Sequence, residues 1–219
     1  MRAGMPVRCD RAGRPIVRPR RCLVSVTTVV LAGVGGQGTI LAGDVLAKVA
    51  VAEGHDVKLS EVHGMAQRGG SVDTVVRFGE VVHSPVVDPG VADHLIAFEL
   101  IEAARSLRYL RPGGRLVVNR RLVAPLPVLI GDLQDPEDLE PALAREGAIF
   151  LDAEALACEA GSPRSANIVL LGAASYGLPF AAETWRRVIE ERVPPKTVGG
   201  NLRAFQLGSD ACAEGVCEP

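Results

Sequence analysis

An apolar run, Val26–Leu31, passes into Ala32-Gly33-Val34-Gly35-Gly36-Gln37-Gly38 and from there into a helical pattern. A strand, a glycine turn and a helix in that order leave few folds open. Gly33, Gly35 and Gly38 reproduce the G-x-G-x-x-G spacing, in which absent side chains allow a tight turn, close approach of an anion and close packing of helix on strand. The first amides of such a helix are unpaired and point into the turn. Three readings follow: a dinucleotide, another phosphate or anion, or a packing turn with no ligand. A dinucleotide site calls for an acid near the end of the second strand, roughly 20 residues past the glycines. Asp56 precedes that strand, and Glu61, 23 residues after Gly38, falls in a following loop. Neither acid fits well, which weakens the dinucleotide reading.

The rest of the chain extends the same pattern. Gly38–Ala52 carries Ile40, Leu41, Val45, Leu46 and Val49 at helical spacing, and Gly54 ends that helix. A short strand is expected at Val57–Leu59. Ser71–Phe78 and Val81–His83 read as two strands joined by a turn at Gly79-Glu80, so a hairpin interrupts the alternation. Asp93–Phe98, Arg115–Asn119 and Ala148–Leu151 read as strands. Leu100–Leu110, Ala153–Ala160, Asn167–Ser175 and Glu183–Arg192 read as helices, the first stopped by Pro112-Gly113-Gly114 and the last by Pro194-Pro195. Residues 120–146 suit a surface excursion, with Val128–Ile130 as a possible edge strand. The expected architecture is a three-layer α/β/α sandwich, Rossmann-like, with a mixed, mainly parallel sheet and a hairpin insertion.

Charge divides the chain. Residues 1–24 hold seven arginines and one acid, Asp10, whereas the remainder holds 17 basic and 25 acidic residues. The head, 1–24, reads as a disordered extension, residues 25–208 as one domain, and 209–219 as a flexible tail. No stretch approaches the ~20 apolar residues of a membrane span. Aromatic residues make up 4%, too few to stack single-stranded bases. A cytoplasmic protein without nucleic-acid or membrane partners is expected. Five scattered cysteines without C-x-x-C supply neither a disulfide framework nor a four-ligand metal site.

A second chemistry-bearing segment is Glu61-Val62-His63-Gly64-Met65-Ala66-Gln67-Arg68-Gly69-Gly70. It gathers a carboxylate, an imidazole, an amide and a guanidinium between glycines. In an open α/β sheet, loops at the carboxyl ends of neighbouring strands share a crevice, so this loop should face the glycine turn. Arg68 can grip a phosphate through two hydrogen bonds. The bland alternative is a solvated surface loop. His63 has no second histidine at ligand spacing, so no metal site is expected. The chain also lacks a G-x-S-x-G elbow and a P-loop. Taken alone, it has a binding site without a catalytic centre.

Together, Gly33–Gly38, Glu61–Val72, Arg77-Phe78-Gly79 and Asn201-Leu202-Arg203-Ala204-Phe205-Gln206-Leu207-Gly208 resemble the gamma-type domain of 2-oxoacid:ferredoxin oxidoreductases, over roughly residues 26–208. His63–Gly70 is more similar to the indolepyruvate-type small subunit than to pyruvate or 2-oxoglutarate gamma subunits. The resemblance implies a small subunit in a hetero-oligomer that decarboxylates an aryl 2-oxoacid oxidatively, with coenzyme A as acyl acceptor and ferredoxin as electron acceptor. It also implies a large alpha subunit carrying thiamine diphosphate and iron–sulfur clusters, and no activity of this chain by itself. It makes Gly33, Gly35, Gly36, Gln37, Gly38, Arg68, Gly69 and Gly70 the candidates for cofactor contact, with coenzyme A at the subunit interface. Glu61, His63 and Gln67 become a candidate active-site wall facing the partner. The competing readings are a stand-alone nucleotide-binding or sensor module and a homomeric scaffold.

Overall fold

Strands with apolar, valine-rich centres can be buried on both faces, and four of them form the middle of a six-stranded sheet. The computed structural model describes residues 25–64, 69–124, 128 and 138–213. The strands are β1 (Thr27–Val34), β2 (Asp56–His63), β3 (Ser71–Gly79), β4 (Ala92–Ala97), β5 (Leu110–Asn119) and β6 (Ala148–Leu151), ordered β2-β3-β1-β4-β5-β6. β1, β4, β5 and β6 pair in parallel, while β3 lies antiparallel between β1 and β2. The expected mixed sheet is thus present. The hairpin, however, is β2–β3, and Val81–His83 is not a strand.

The described helices are α1 (Thr39–Ala52), α2 (Leu100–Ser106), α3 (Leu139–Arg145), α4 (Ala153–Glu159), α5 (Ala166–Ser175), α6 (Ala182–Arg192) and α7 (Val198–Ala213). Alternation along the strands sends Val29, Leu31, Val76, Phe78, Ile96 and Val117 to one face, against α1 and α4–α7. Val30, Ala32, Val75, Leu95, Leu116 and Val118 go to the other, against α2 and α3. On the first face rings run in a chain from His55 through Phe78 and Phe180 to Trp185 and Phe205, with centroids 4.9–6.0 Å apart. These aromatic contacts tie the outermost helices to the sheet.

Three sequence expectations need revision. α2 stops at Ser106 and a 3-10 turn, Leu107–Tyr109, carries the chain into β5, which begins at Leu110 and not at Arg115. Part of the 120–146 excursion is a helix, α3, whose Leu143 is buried. The other residues of 125–137, including most of the suggested edge strand, lie outside the described set, as do the arginine-rich head and residues 214–219. The last helix was not foreseen, and it continues to Ala213 with Cys212 buried. Its Gly208 lies against the Val169 carbonyl and Gly172 of α5 against the Phe205 carbonyl, so a Cβ at either position would collide with main chain. Mutual glycine contacts let α5 and α7 approach backbone to backbone.

Candidate functional site

The glycine turn is held by its own residues before it meets anything else. Gln37 folds back so that its Oε1 accepts from the Val34 N–H at 2.7 Å. A Cβ on Gly33 would sit 2.7 Å from that oxygen and 3.0 Å from Cβ of Phe98. Gly36 and Gly38 have φ of 105° and 84°, a region that favours glycine. Gly38 caps α1 without a side-chain bond, and Asn167 of α5 donates to its carbonyl at 3.3 Å. Gln37 therefore shapes the turn through its amide oxygen, a role distinct from the cofactor contact expected of it.

The expected meeting of the two glycine segments is observed. The Gly35 N–H donates to the Gly70 carbonyl at 2.8 Å, and the Gly69 N–H to the Gly35 carbonyl at 3.4 Å. This continues the β1–β3 ladder past the Val34–Ser71 pair. Met65, Ala66, Gln67 and Arg68 fall outside the described residues. Glu61 and His63 do not belong to a loop, because β2 extends through His63. Register then places them: His63 is level with Val72 and Gly33, and Glu61 with Thr74 and Leu31. Cross-strand partners share a face, so both side chains stand on the α1 side of the sheet.

These rows build one open cavity of about 440 Å³, lined by Gly35, Gly36, Gly38, Ile40, Glu61 and His63 among others. Its chemistry is mixed. The turn offers main-chain donors at the N-terminus of a 14-residue helix whose first turn has no acid. Ile40, 53% exposed, and the buried Val72 make part of its wall apolar. His63 Nδ1 lies 3.0 Å from the Gly64 carbonyl; a carbonyl only accepts, so in this contact the ring proton is on Nδ1 and Nε2 is left for another group. Glu61 is two strands from β1, about 10 Å at the usual sheet spacing. That distance removes it from the place of a ribose-binding acid beside the first strand.

Carboxylates are concentrated on the opposite face. Ser71 donates to Glu102, Ser106 to Asp73, and Glu99 caps α2 by accepting from Ile101 and Glu102 N–H groups. Burial is the main reason that Asp73 and Glu99 are held above the usual carboxylate range, with the nearby Glu102 adding to it. The sheet separates this acidic group from the cavity of Glu61 and His63.

A second crevice lies on the far side of the glycine turn, where the carboxyl ends of β1, β4, β5 and β6 open. Its volume is about 430 Å³, and Gly36, Gln37, Phe98, Arg121, Glu154 and Arg164 line it. Sequence motifs did not single out the last four. β1 leads to α1 on one face and β4 to α2 on the other, so this is the point where connections diverge. Asn119 at the end of β5 organises it: its amide donates to the Phe98 carbonyl and Glu154, and its oxygen accepts from the Ala153 N–H. Glu154 in turn holds Arg121 at 2.8 Å. No group of three or more His, Cys, Asp or Glu that could hold a metal ion occurs among the described residues.

Comparison with known proteins supports the geometry with ancestry. The sequence is 42% identical over 193 residues to the indolepyruvate oxidoreductase subunit IorB of Thermococcus kodakarensis, covering 85% of this chain and 96% of that protein. The Pyrococcus horikoshii IorB subunit matches with the same identity and coverage. Among solved structures, the gamma subunit of a keto/oxoacid ferredoxin oxidoreductase from Geobacter sulfurreducens superimposes with a TM-score of 0.64 at 25% identity, over 86% of this chain and 99% of that one. Residues 28–211 match the pyruvate ferredoxin/flavodoxin oxidoreductase family, and the chain belongs to it.

Proposed function

We propose that this chain is the small subunit of an indolepyruvate-type 2-oxoacid:ferredoxin oxidoreductase, working with a large subunit that carries thiamine diphosphate and iron–sulfur clusters. The observation that carries the substrate class is a difference in identity. IorB subunits are 35–42% identical, and within Methanothermobacter thermautotrophicus the IorB subunit reaches 35% whereas the 2-oxoglutarate synthase subunit KorC reaches 30% over a similar span. Five scattered cysteines also suit a subunit that leaves the clusters to its partner. The setting proposed is the cytoplasm, and no described helix is long and apolar enough to cross a membrane.

The cavity beside the glycine turn is the proposed wall of the shared active site. Its residues fit coenzyme A in one respect: main-chain donors on one side, a partly apolar wall on the other and no carboxylate on the turn itself. Coenzyme A, when bound, supplies the thiol that accepts the acyl group. Gly36 and Gly38 give it access to main-chain N–H groups, Gly35 lines the approach with its own N–H already bonded to Gly70, and Ile40 and Val72 exclude water beside it. His63, its Nδ1 proton held at Gly64, presents Nε2 to a polar group of the ligand or partner. Arg68 remains the proposed phosphate contact, because both flanks of its loop, Gly64 and Gly69, are anchored beside the cavity through Ser71 and Gly35.

Co-production with the large subunit tests this reading. The complex should reduce a viologen dye with indolepyruvate and coenzyme A faster than with pyruvate or 2-oxoglutarate, and neither subunit should do so alone. Arg68→Ala should raise the KM for coenzyme A by about tenfold, the loss expected for one charge-assisted phosphate contact. Activity of the isolated chain, or preference for 2-oxoglutarate, defeats the assignment.

A further inference from the structure

We infer that the outer edge of β2 is a strand-addition site for the large subunit, taking an extended segment that carries a basic residue next to an apolar one. The inference rests on the subunit assignment proposed above. β2 ends the sheet on one side, and no described strand pairs with its outer edge. The register with β3, together with one hydrogen bond, decides what that edge offers. The Gly64 N–H donates to the Ser71 carbonyl at 3.3 Å, one step beyond the His63–Val72 pair. Gly64–Ser71 is therefore a hydrogen-bonded pair, and in an antiparallel ladder such pairs alternate with unbonded ones. Val62–Asp73, Ser60–Val75 and Lys58–Arg77 are then bonded inward, while Val57, Leu59, Glu61 and His63 direct their N–H and C=O groups outward. These main-chain groups form one row along the edge, ready for another strand.

Proteins ordinarily blunt such an edge with shortness, proline, a bulge or a free lysine. β2 is eight residues long against four for β6 at the opposite edge, has no proline, and pairs with β3 in an unbroken register. Its lysine, Lys58, is tied to Asp56. The connection after β3 covers the first part of the strand on the α2 face, where the Val82 N–H donates to Asp56 and Ser60 donates to the Pro85 carbonyl. Val62, next on that face, is left 65% exposed. On the α1 face Glu61 has no ionic partner among the described residues. A basic cross-strand neighbour suits Glu61 and an apolar one suits Val62, and consecutive residues of one strand point to opposite faces. A segment with adjacent basic and apolar residues meets both at once. A second copy of this chain matches less well, because continuing the sheet through a two-fold axis puts its Lys58 on the face of Val62 and not of Glu61. The large subunit is the better owner of the strand for a further reason: Glu61 and His63 also line the cavity, so pairing at this edge brings the partner to the cavity mouth.

Residue-resolved hydrogen exchange of the full chain, free and in complex with the large subunit, tests the inference. In the free chain the Leu59, Glu61 and His63 amides should exchange about tenfold faster than those of Lys58, Ser60 and Val62, and complex formation should slow the first set about tenfold. Val62→Lys and Glu61→Pro should each weaken association with the large subunit about tenfold. Residue 62 is exposed and the Glu61 N–H points away from β3, so both variants keep the β2–β3 ladder, which unchanged exchange of the β3 amides verifies. Slow outward amides in the dilute free chain would put another segment of this chain on the edge, and slowing as the free chain is concentrated would put a second copy there. Either result, or a complex whose outward amides stay fast, overturns strand addition by the large subunit. An active complex with fast outward amides removes only this inference. A complex that slows them but prefers 2-oxoglutarate keeps the edge and removes the indolepyruvate assignment, whereas a large subunit that does not bind removes the subunit assignment and the strand's owner together.

Discussion

The β1–α1 turn and the α5–α7 crossing both depend on glycine, for opposite reasons. At the turn, Gly36 has open space around its missing side chain and is required because its φ is 105°. At the crossing, Gly172 and Gly208 have ordinary helical backbone and no space, since the facing helix presents a carbonyl where Cβ would stand. The first kind of glycine shapes a surface for something outside the chain. The second removes a surface so that two parts of the chain can touch. A substitution at the crossing should act on the whole fold, and one at the turn on a local surface.

Gly208→Ala is expected to have the largest effect, destabilising the chain by about 3 kcal/mol as α5 and α7 are pushed apart. Urea unfolding followed by circular dichroism measures it, and a loss below half that value would show that the helices can separate cheaply. Gly38→Ala combines both situations. Its φ of 84° is unfavourable, and its Cβ would lie 2.7 Å from Asn167 Nδ2, so a cost of about 2 kcal/mol is expected. Gly36→Ala should cost about 1 kcal/mol, from backbone conformation alone, yet lower turnover of the complex more than Gly208→Ala does in its folded fraction. Equal effects of the two on turnover per folded molecule would erase the contrast.

The smallest expected effect concerns pH. His94 of β4 is held below the ordinary histidine range, first by burial and then by Arg115 and Arg111, although Asp93 opposes the shift. The unfolded chain therefore takes up this proton more readily than the folded one. His94 contributes stability that is complete above the unfolded pKa, near 6.5, and is lost as pH falls toward the folded value. Unfolding free energy should drop between pH 7 and pH 5, and His94→Gln should flatten that slope. A slope unchanged by the substitution would place the titration elsewhere.

What could be read from the sequence follows the same division. β1, the turn and α1 were legible because a conformational glycine sits between two clean periodicities. α7 was not, because Gly199, Gly200 and Gly208 look like breakers when the opposing surface is unknown. Strand β2 was cut short for a related reason: it is an edge strand whose last three residues, Glu61, Val62 and His63, are exposed, so no apolar alternation marks them. The first cavity was legible in part, since its residues belong to two compact motifs. The crevice was not, because Phe98, Arg121, Glu154 and Arg164 span 67 positions and converge only through the parallel strand order.

Gly36 lines both the cavity and the crevice, so a single peptide separates the two compartments. A molecule longer than either can lie across that partition with its ends in different chemical surroundings, one near an imidazole and the other near guanidinium groups. Mutational maps of the two compartments must then be drawn from their outer walls, because any change at residue 36 alters both at once.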